Sequence, residues 1–232
     1  MCCGRRAQAA LLAVALTWHR RQPSPLHDLD TDLELGQYRG VATSATAHRI
    51  LDIAQRLVQL RGFNAFSFTD IAKELGLKDA SIHYHYPNKA ALGQAVVKRY
   101  REHFAAQLSA IGQGALGPAG QLERYVQLYR DVVAQDGRIC LCGMLASELL
   151  TLPEEVQAEV RAFFAESEAW LTPVFERGRQ EGDLVFAGSA DVEAQAFLAA
   201  LEGAMLLARS HGDATRFEVL ALRLLAALRS PA

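Results

Sequence analysis

The chain has 232 residues, 50% of them apolar and 22% charged, enough to bury a sizeable core and too apolar for a chain that stays disordered. Its net charge of −2 does not decide for or against a nucleic-acid partner, but the charge is unevenly spread. Residues 41–103 hold 9 Lys+Arg against 5 Asp+Glu, whereas residues 104–232 hold 10 Arg, no Lys and 17 Asp+Glu, so a basic module is joined to an acidic one and different partners are expected for each.

Residues 1–40 stand apart from the rest. An apolar run at 7–18 follows a basic start and has signal-peptide length, yet it meets His19, Arg20 and Arg21 with no small-x-small cleavage site. Cys2 and Cys3 precede the run and so form no lipoprotein site. The segment reads as a disordered extension or as the product of a start codon assigned too early, with Val41 as the alternative start. A membrane tether built on 7–18 is the rival reading. No apolar run approaches the length of a transmembrane helix, so no membrane partner is expected. Cys140 and Cys142 are near-adjacent and make a poor disulfide framework, which favours a reducing, cytoplasmic setting.

From residue 41 onward the pattern is helical and strand-like alternation is absent. Ile50, Ile53, Ala54, Leu57 and Leu60 keep helical spacing and Gly62 stands at a C-cap position, predicting a helix over 46–61. Ser67 and Asp70 form a capping-box pattern that opens a second helix, broken at Gly76. A third short helix spans 78–86 and stops before Pro87. Asn88 suits the N-cap of a fourth, which carries Leu92, Val96, Val97 and Tyr100 towards Leu108. The glycine-rich segment 111–121 reads as a loop. Helices follow at 121–135 and 139–150, and Thr151 as cap with Pro153 in the first turn opens a long helix reaching Gly178. A loop at 181–191 leads to two final helices, 190–210 and 214–229. These are apolar nearly all round, and such a pair needs more cover than one protomer gives.

The segment SIHYHYPNK, residues 81–89, gathers two His, two Tyr, an Asn and a Lys around one apolar Ile82. Two short helices joined through a glycine, braced by a longer helix before them, make helix-turn-helix geometry. The second helix of such a unit lies in the major groove. With Ile82 facing inward, Ser81, His83, Tyr84 and His85 can face outward, where hydroxyls and imidazoles meet phosphates and base edges. Lys89 adds a charge at the start of the next helix, a ready phosphate site.

The stretch FSFTDIAKELGLKDASIHYHYPNKAAL, residues 66–92, resembles the TetR/AcrR family of bacterial transcriptional regulators. The resemblance is strong over residues 44–100 and architectural beyond. It implies an all-α protein, with a three-helix helix-turn-helix DNA-binding domain at 41–88 and a helical ligand-binding and dimerisation domain at 89–232. It implies a homodimer paired through the last two helices as a four-helix bundle, a palindromic double-stranded DNA operator, and a small-molecule inducer that releases a repressor. By the same resemblance Thr69, Lys78, Asp79, Ala80, Ser81, His83, Tyr84 and His85 face DNA and Lys89 meets a phosphate. Two positions depart from the family pattern. His83 stands where a Tyr is usual, which would make that phosphate contact pH-sensitive. Asp79 puts an acid near the groove, where it either accepts from a cytosine amino group or caps the helix.

Other chemistry finds little support. His83 and His85 are two apart on a helix and diverge, and Cys140-Leu141-Cys142 lacks zinc spacing, so no metal or other cofactor is expected. No nucleophile–base motif is present, so no catalytic residue and no enzyme are expected. The rival class is an enzyme or small-molecule carrier that keeps a helix-turn-helix without using it. Tyr125, Tyr129, Cys140, Met144, Phe163 and Trp170 are core residues or the lining of an apolar pocket between helices. Cys140 carries a further alternative. It follows Arg138 near a helix start, where a cation and the helix dipole lower a thiol pKa and suit an electrophile- or oxidant-sensing thiol; otherwise it packs as a small hydrophobe. Asp136 either opposes that effect or caps the helix.

Overall fold

The computed structural model describes residues 45–135 and 137–229. Residues 1–40, with Cys2, Cys3, the apolar run and the alternative start at Val41, lie outside the described residues, as does Asp136. The described chain is built from α1 (Ala45–Arg61), α2 (Phe68–Leu75), α3 (Asp79–His85), α4 (Lys89–Gln113), α5 (Pro118–Val133), α6 (Leu141–Ser147), α7 (Glu154–Glu181), α8 (Ala190–His211) and α9 (Thr215–Leu228), with a 3-10 turn at Leu149–Thr151. No strand occurs among the described residues. An isolated antiparallel bridge ties Leu184 to Arg229.

The first four helices follow their sequence signals closely. Ile50, Leu51, Ala54, Leu57 and Val58 of α1 are buried as one face. Ser67 and Asp70 form the full capping box, with Ser67 N donating to Asp70 Oδ2 at 2.7 Å and Asp70 N to Ser67 Oγ at 3.3 Å. Gly76 has φ +68° and turns its N–H back onto the Ala72 and Lys73 carbonyls, a left-handed cap where a side chain would be strained. That residue lets α2 stop after two turns and α3 start at an angle to it. Asn88 Oδ1 accepts from Ala91 N at 2.8 Å and caps α4.

Several boundaries differ. Helix α4 runs on to Gln113, because Ile111 is buried and holds the last turn against the core. Helix α5 begins at Pro118, whose missing N–H costs nothing in the first turn. The expected helix 139–150 is shorter, Leu141–Ser147, and tightens into the 3-10 turn. Thr151 is not the cap of α7. Its hydroxyl donates back to the Glu148 carbonyl at 2.8 Å and accepts from Asn64 Nδ2 at 2.8 Å, while Pro153 occupies the N-cap without a side-chain bond. Helix α7 continues past Gly178, which sits inside it because a Cβ there would come within 2.3 Å of Leu184 Cδ1. The left-handed Gly182 ends the helix.

Helix α2 packs on α1 and on α3, and α1 also rests on α4 and α6. Helix α7 lies between α4 and α8, and α9 packs on α8 and α5. Ile71 and Ile82 anchor the small end, and Leu141, Phe163, Phe175, Leu201 and Phe217 the large end, all essentially without solvent exposure.

Candidate nucleic-acid interface and ligand core

On a helix each residue turns by about 100°, so the residues two before and two after a buried position point away from the core. Ile82 is fully buried, and this places Ala80 and Tyr84 on the outer face of α3. Tyr84 is 86% exposed, a large aromatic whose ring meets that of His85 edge-on at 5.1 Å. Lys78, Asp79, Ala80 and His83 are exposed as well, whereas Ser81 and His85 are half-buried. Thr69 is exposed on α2. Of the four residues expected to face outward, His83 and Tyr84 are exposed, whereas Ser81 and His85 are half-buried on the flanks; Ala80 joins the exposed pair.

Hydrogen bonds prearrange several of these groups. The Thr69 hydroxyl donates to Asp79 Oδ2 at 2.6 Å, joining α2 to the first residue of α3. Asp79 is thus not the cap; Lys78 holds that position, without a side-chain bond. The His83 ring leans on Phe68 with centroids 4.7 Å apart. Its Nδ1 lies 3.3 Å from the Pro87 carbonyl, which can only accept, so Nδ1 carries the proton. Lys89 departs most from expectation. Its ammonium donates to the Phe66 carbonyl and sits 4.4 Å from the Phe66 ring centroid and 4.8 Å from that of Phe63. Partial burial lowers its pKa against the opposing pull of Glu148 and Asp70. In this arrangement Lys89 braces the α1–α2 loop from inside and is not presented as a free surface charge.

Three side chains, Glu148 and Arg209 from the body and Gln59 from α1, fasten this end of the molecule to the rest. Glu148 Oε2 accepts from Phe63 N at 2.9 Å and from both Asn64 N and Asn64 Nδ2 at 3.2 Å. Its carboxylate fills the space beside Gly62, which has φ +88° and could not carry a side chain there. Arg209 of α8 reaches the last turn of α1 and donates to the carbonyls of Gln59, at 3.2 Å, and Leu60. The same guanidinium lies 3.5 Å from the Met144 sulfur. Gln59 Nε2 donates to the Ile139 carbonyl at 3.1 Å, one residue before Cys140. A cation at a helix C-terminus also meets the negative end of the helix dipole.

Of the suggested pocket residues, Tyr125, Tyr129, Phe163 and Trp170 gather as packed core with Cys140 at their edge, and none of the six lines the cleft between α1, α4 and α5. Tyr125, Tyr129 and Phe163 surround Phe104 with ring centroids 5.0–6.2 Å apart. Trp170 stacks on Tyr125 at 5.7 Å. Cys140 joins through the Tyr100 hydroxyl, 3.8 Å from its sulfur, whereas Met144 lies apart from the rings, beside Arg209. These rings are packed on one another. A cleft of about 430 Å³ opens beside them, between α1, α4 and α5, with Gln59, Tyr100 and Phe104 among its lining residues.

Glu202 is a carboxylate set among these groups. Tyr129 Oη donates to its Oε1 at 3.3 Å, and its Oε2 would lie 2.2 Å from a Cβ on Gly143. Burial pushes its pKa up to about 7, against the lowering effect of hydrogen bonds from Cys140 and Tyr129. Cys140 is corrected accordingly. It is buried, and burial together with the neighbouring Glu202 raises its thiol pKa well above the usual value. Cys142 behaves in the same way. Arg138 points elsewhere, donating to Gln135 Oε1 at 2.8 Å. The expected activation of the thiol by Arg138 and a helix start is therefore reversed by desolvation and a nearby acid.

Glu148, Arg209, Gln59 and Glu202 were not singled out from the sequence. Glu202 alone left a trace there, as the lone acid in the apolar run FLAALEGAMLLA. Among the described residues no helix is long and apolar enough to cross a membrane, and no group of three or more His, Cys, Asp or Glu could hold a metal ion.

Comparison with known proteins agrees with this geometry. The family model described as bacterial regulatory proteins, tetR family, matches residues 50–96, which span α2, α3 and parts of their neighbours. The transcriptional regulator AcuR of Cereibacter sphaeroides is 27% identical over 179 residues, covering 75% of this chain and 81% of the relative. A TetR-family transcriptional regulator from Agrobacterium tumefaciens is 38% identical and superposes with a TM-score of 0.76, over 79% of this chain and 97% of that one. A TetR transcriptional regulator from Legionella pneumophila is 34% identical with a TM-score of 0.73, over 80% and 98% of the two chains. With its helix-turn-helix face, its helical body and relatives that are regulators throughout, the chain belongs to the TetR family of DNA-binding transcriptional regulators.

Proposed function

We propose that this regulator is a cytoplasmic repressor that binds a palindromic operator as a homodimer and releases it when a small molecule enters the helical body. The observation that carries this reading is the fastening of α1 and the loop after it to the body by Arg209, Glu148 and Gln59. A rearrangement around α6 or α8 is passed directly to α1, and with it to α3. A ligand acts by binding better to the arrangement in which the two reading heads no longer match their half-sites.

Dimerisation through α8 and α9 is part of the proposal. Val192, Leu206, Leu207, Val219 and Leu220 on these helices are 40–65% exposed, an apolar face that a second copy would cover by two-fold pairing. DNA contact is assigned to Thr69, Lys78, Ala80, Ser81, His83, Tyr84 and His85, with Asp79 holding Thr69 in place. Two domains, 41–88 and 89–232, would divide reading from sensing. Selecting bound duplex from a random pool tests the reading. It should yield an inverted repeat whose affinity falls by orders of magnitude from low to moderate salt, as phosphate neutralisation requires. A protein that selects no sequence, or whose binding ignores salt, is not an operator-binding repressor.

A further inference from the structure

We infer that the cleft between α1, α4 and α5 binds an uncharged ring compound bearing an amide. This rests on the ligand-responsive reading above and assigns that ligand a place and a chemistry.

The cleft holds about 430 Å³, within the range of roughly 300–1,000 Å³ usual for small-molecule sites. Arg99, Arg138, Asp52 and Asp131 line it together with His103, so its formal charge is balanced when His103 is neutral. Arg99 already donates to Asp52 Oδ1 at 2.8 Å and to Gln55 Oε1 at 3.1 Å. A charged ligand would find no surplus of opposite charge there. Four amides share the lining with Tyr100, Phe104, Leu128 and Val132: Gln55, Gln59, Gln107 and Gln135, and a primary amide offers each donor and acceptor in one plane.

Gln59 sharpens the choice. It is 2% exposed. Its Nε2 is committed to the Ile139 carbonyl, and its Oε1 has no hydrogen-bond partner among the described residues. A buried amide oxygen left unpaired is costly, so the site favours a molecule that brings an N–H to it. Tyr100 and Phe104, stacked at an interplanar angle of 14° with centroids 6.5 Å apart, supply an aromatic wall for a flat ring. The same residues touch the aromatic core, since Phe104 lies against Tyr125, Tyr129 and Phe163. Occupancy of the cleft therefore bears on Gln59, whose own carbonyl Arg209 holds, and on the core at once.

Nicotinamide is the probe, and nicotinate its charged control. Isothermal titration calorimetry on the full chain without DNA should give a Kd of about 1 mM or tighter for nicotinamide. Nicotinate should bind at least about tenfold more weakly, as should nicotinamide to Gln59→Leu, because each pairing lacks the amide hydrogen bond. Val132→Trp, which fills the cleft from α5 and leaves the Gln59–Ile139 bond intact, should abolish binding while circular dichroism and elution volume stay unchanged. No heat from nicotinamide with the wild-type chain overturns the inference, as does equal binding of nicotinate or binding that survives both substitutions. Failure of the chain to select an operator would instead overturn the repressor reading, and it leaves this calorimetry unaffected.

Discussion

Replacing Arg209 by Ala removes the clamp on the end of α1. The last carbonyls of a helix have no partner within it. In α1, Val58 O is taken by Gly62 N at 2.9 Å, and the next two, Gln59 O and Leu60 O, are taken by Arg209. Gln59 is buried, so its carbonyl cannot turn to water without opening the seam. A hydrogen bond to a charged group contributes about 1.5–3 kcal/mol, and a cation at a helix C-terminus about 0.3–1 kcal/mol. Arg209 is half-buried, so solvent screening discounts both contributions, and the expected loss is about 2–3 kcal/mol. For a domain of this size that is a fall in Tm of about 5–10 °C, measured at fixed protein concentration because the proposed dimer would contribute to stability. Operator affinity should fall together with stability, because the reading head is no longer held at one angle. Arg209→Lys keeps the charge but not the fork, and should recover part of both. If Arg209→Ala melts within 1 °C of the wild type, or if Arg209→Lys is as damaged as Ala, the clamp is not what fastens the head.

Three further outcomes follow from the same geometry. Because burial raises the Glu202 pKa from 4.5 to about 7, its favourable contribution is complete below pH 4.5 and is lost as pH rises towards 7; urea titrations should show a decline of up to about 3 kcal/mol across that window, and Glu202→Gln should flatten it. Tyr84→Ala should weaken operator binding at least about tenfold with no change in Tm, since its ring is exposed, whereas Ile82→Ala should cost about 3 kcal/mol of stability; equal effects on both properties in both variants would contradict the assignment of faces on α3. Cys140 and Cys142, buried and held as neutral thiols, should react with iodoacetamide in the native protein far more slowly than in urea, and rapid native labelling followed by mass spectrometry would show the burial to be wrong.

Local signals account for what was readable in advance. The Ser67–Asp70 capping box, the Gly76 break, the Asn88 cap and the single apolar Ile82 in a polar helix each act within one or two turns, so the sequence alone places α1 to α4 and the outward face of α3. Boundaries failed where a distant residue competed with local preference. Thr151 reads as a helix cap, yet Asn64 and the Glu148 carbonyl claim its hydroxyl. The expected 139–150 helix breaks because Glu148 is drawn to the backbone of Phe63 and Asn64. Lys89 reads as a phosphate ligand, but the Phe66 carbonyl and two aromatic rings turn it inward.

Family, fold class and the exposed face of α3 were therefore set by residues close together in the chain, where propensity and capping act. The seam between head and body was decided only in three dimensions. Arg209 meets Leu60, Glu148 meets Phe63, and Glu202 meets Tyr129 across long separations, and no periodicity announces such pairs. Each is a buried or half-buried polar group that must find a partner once water is excluded. The partner it finds depends on how the helices pack, which is a property of the whole chain.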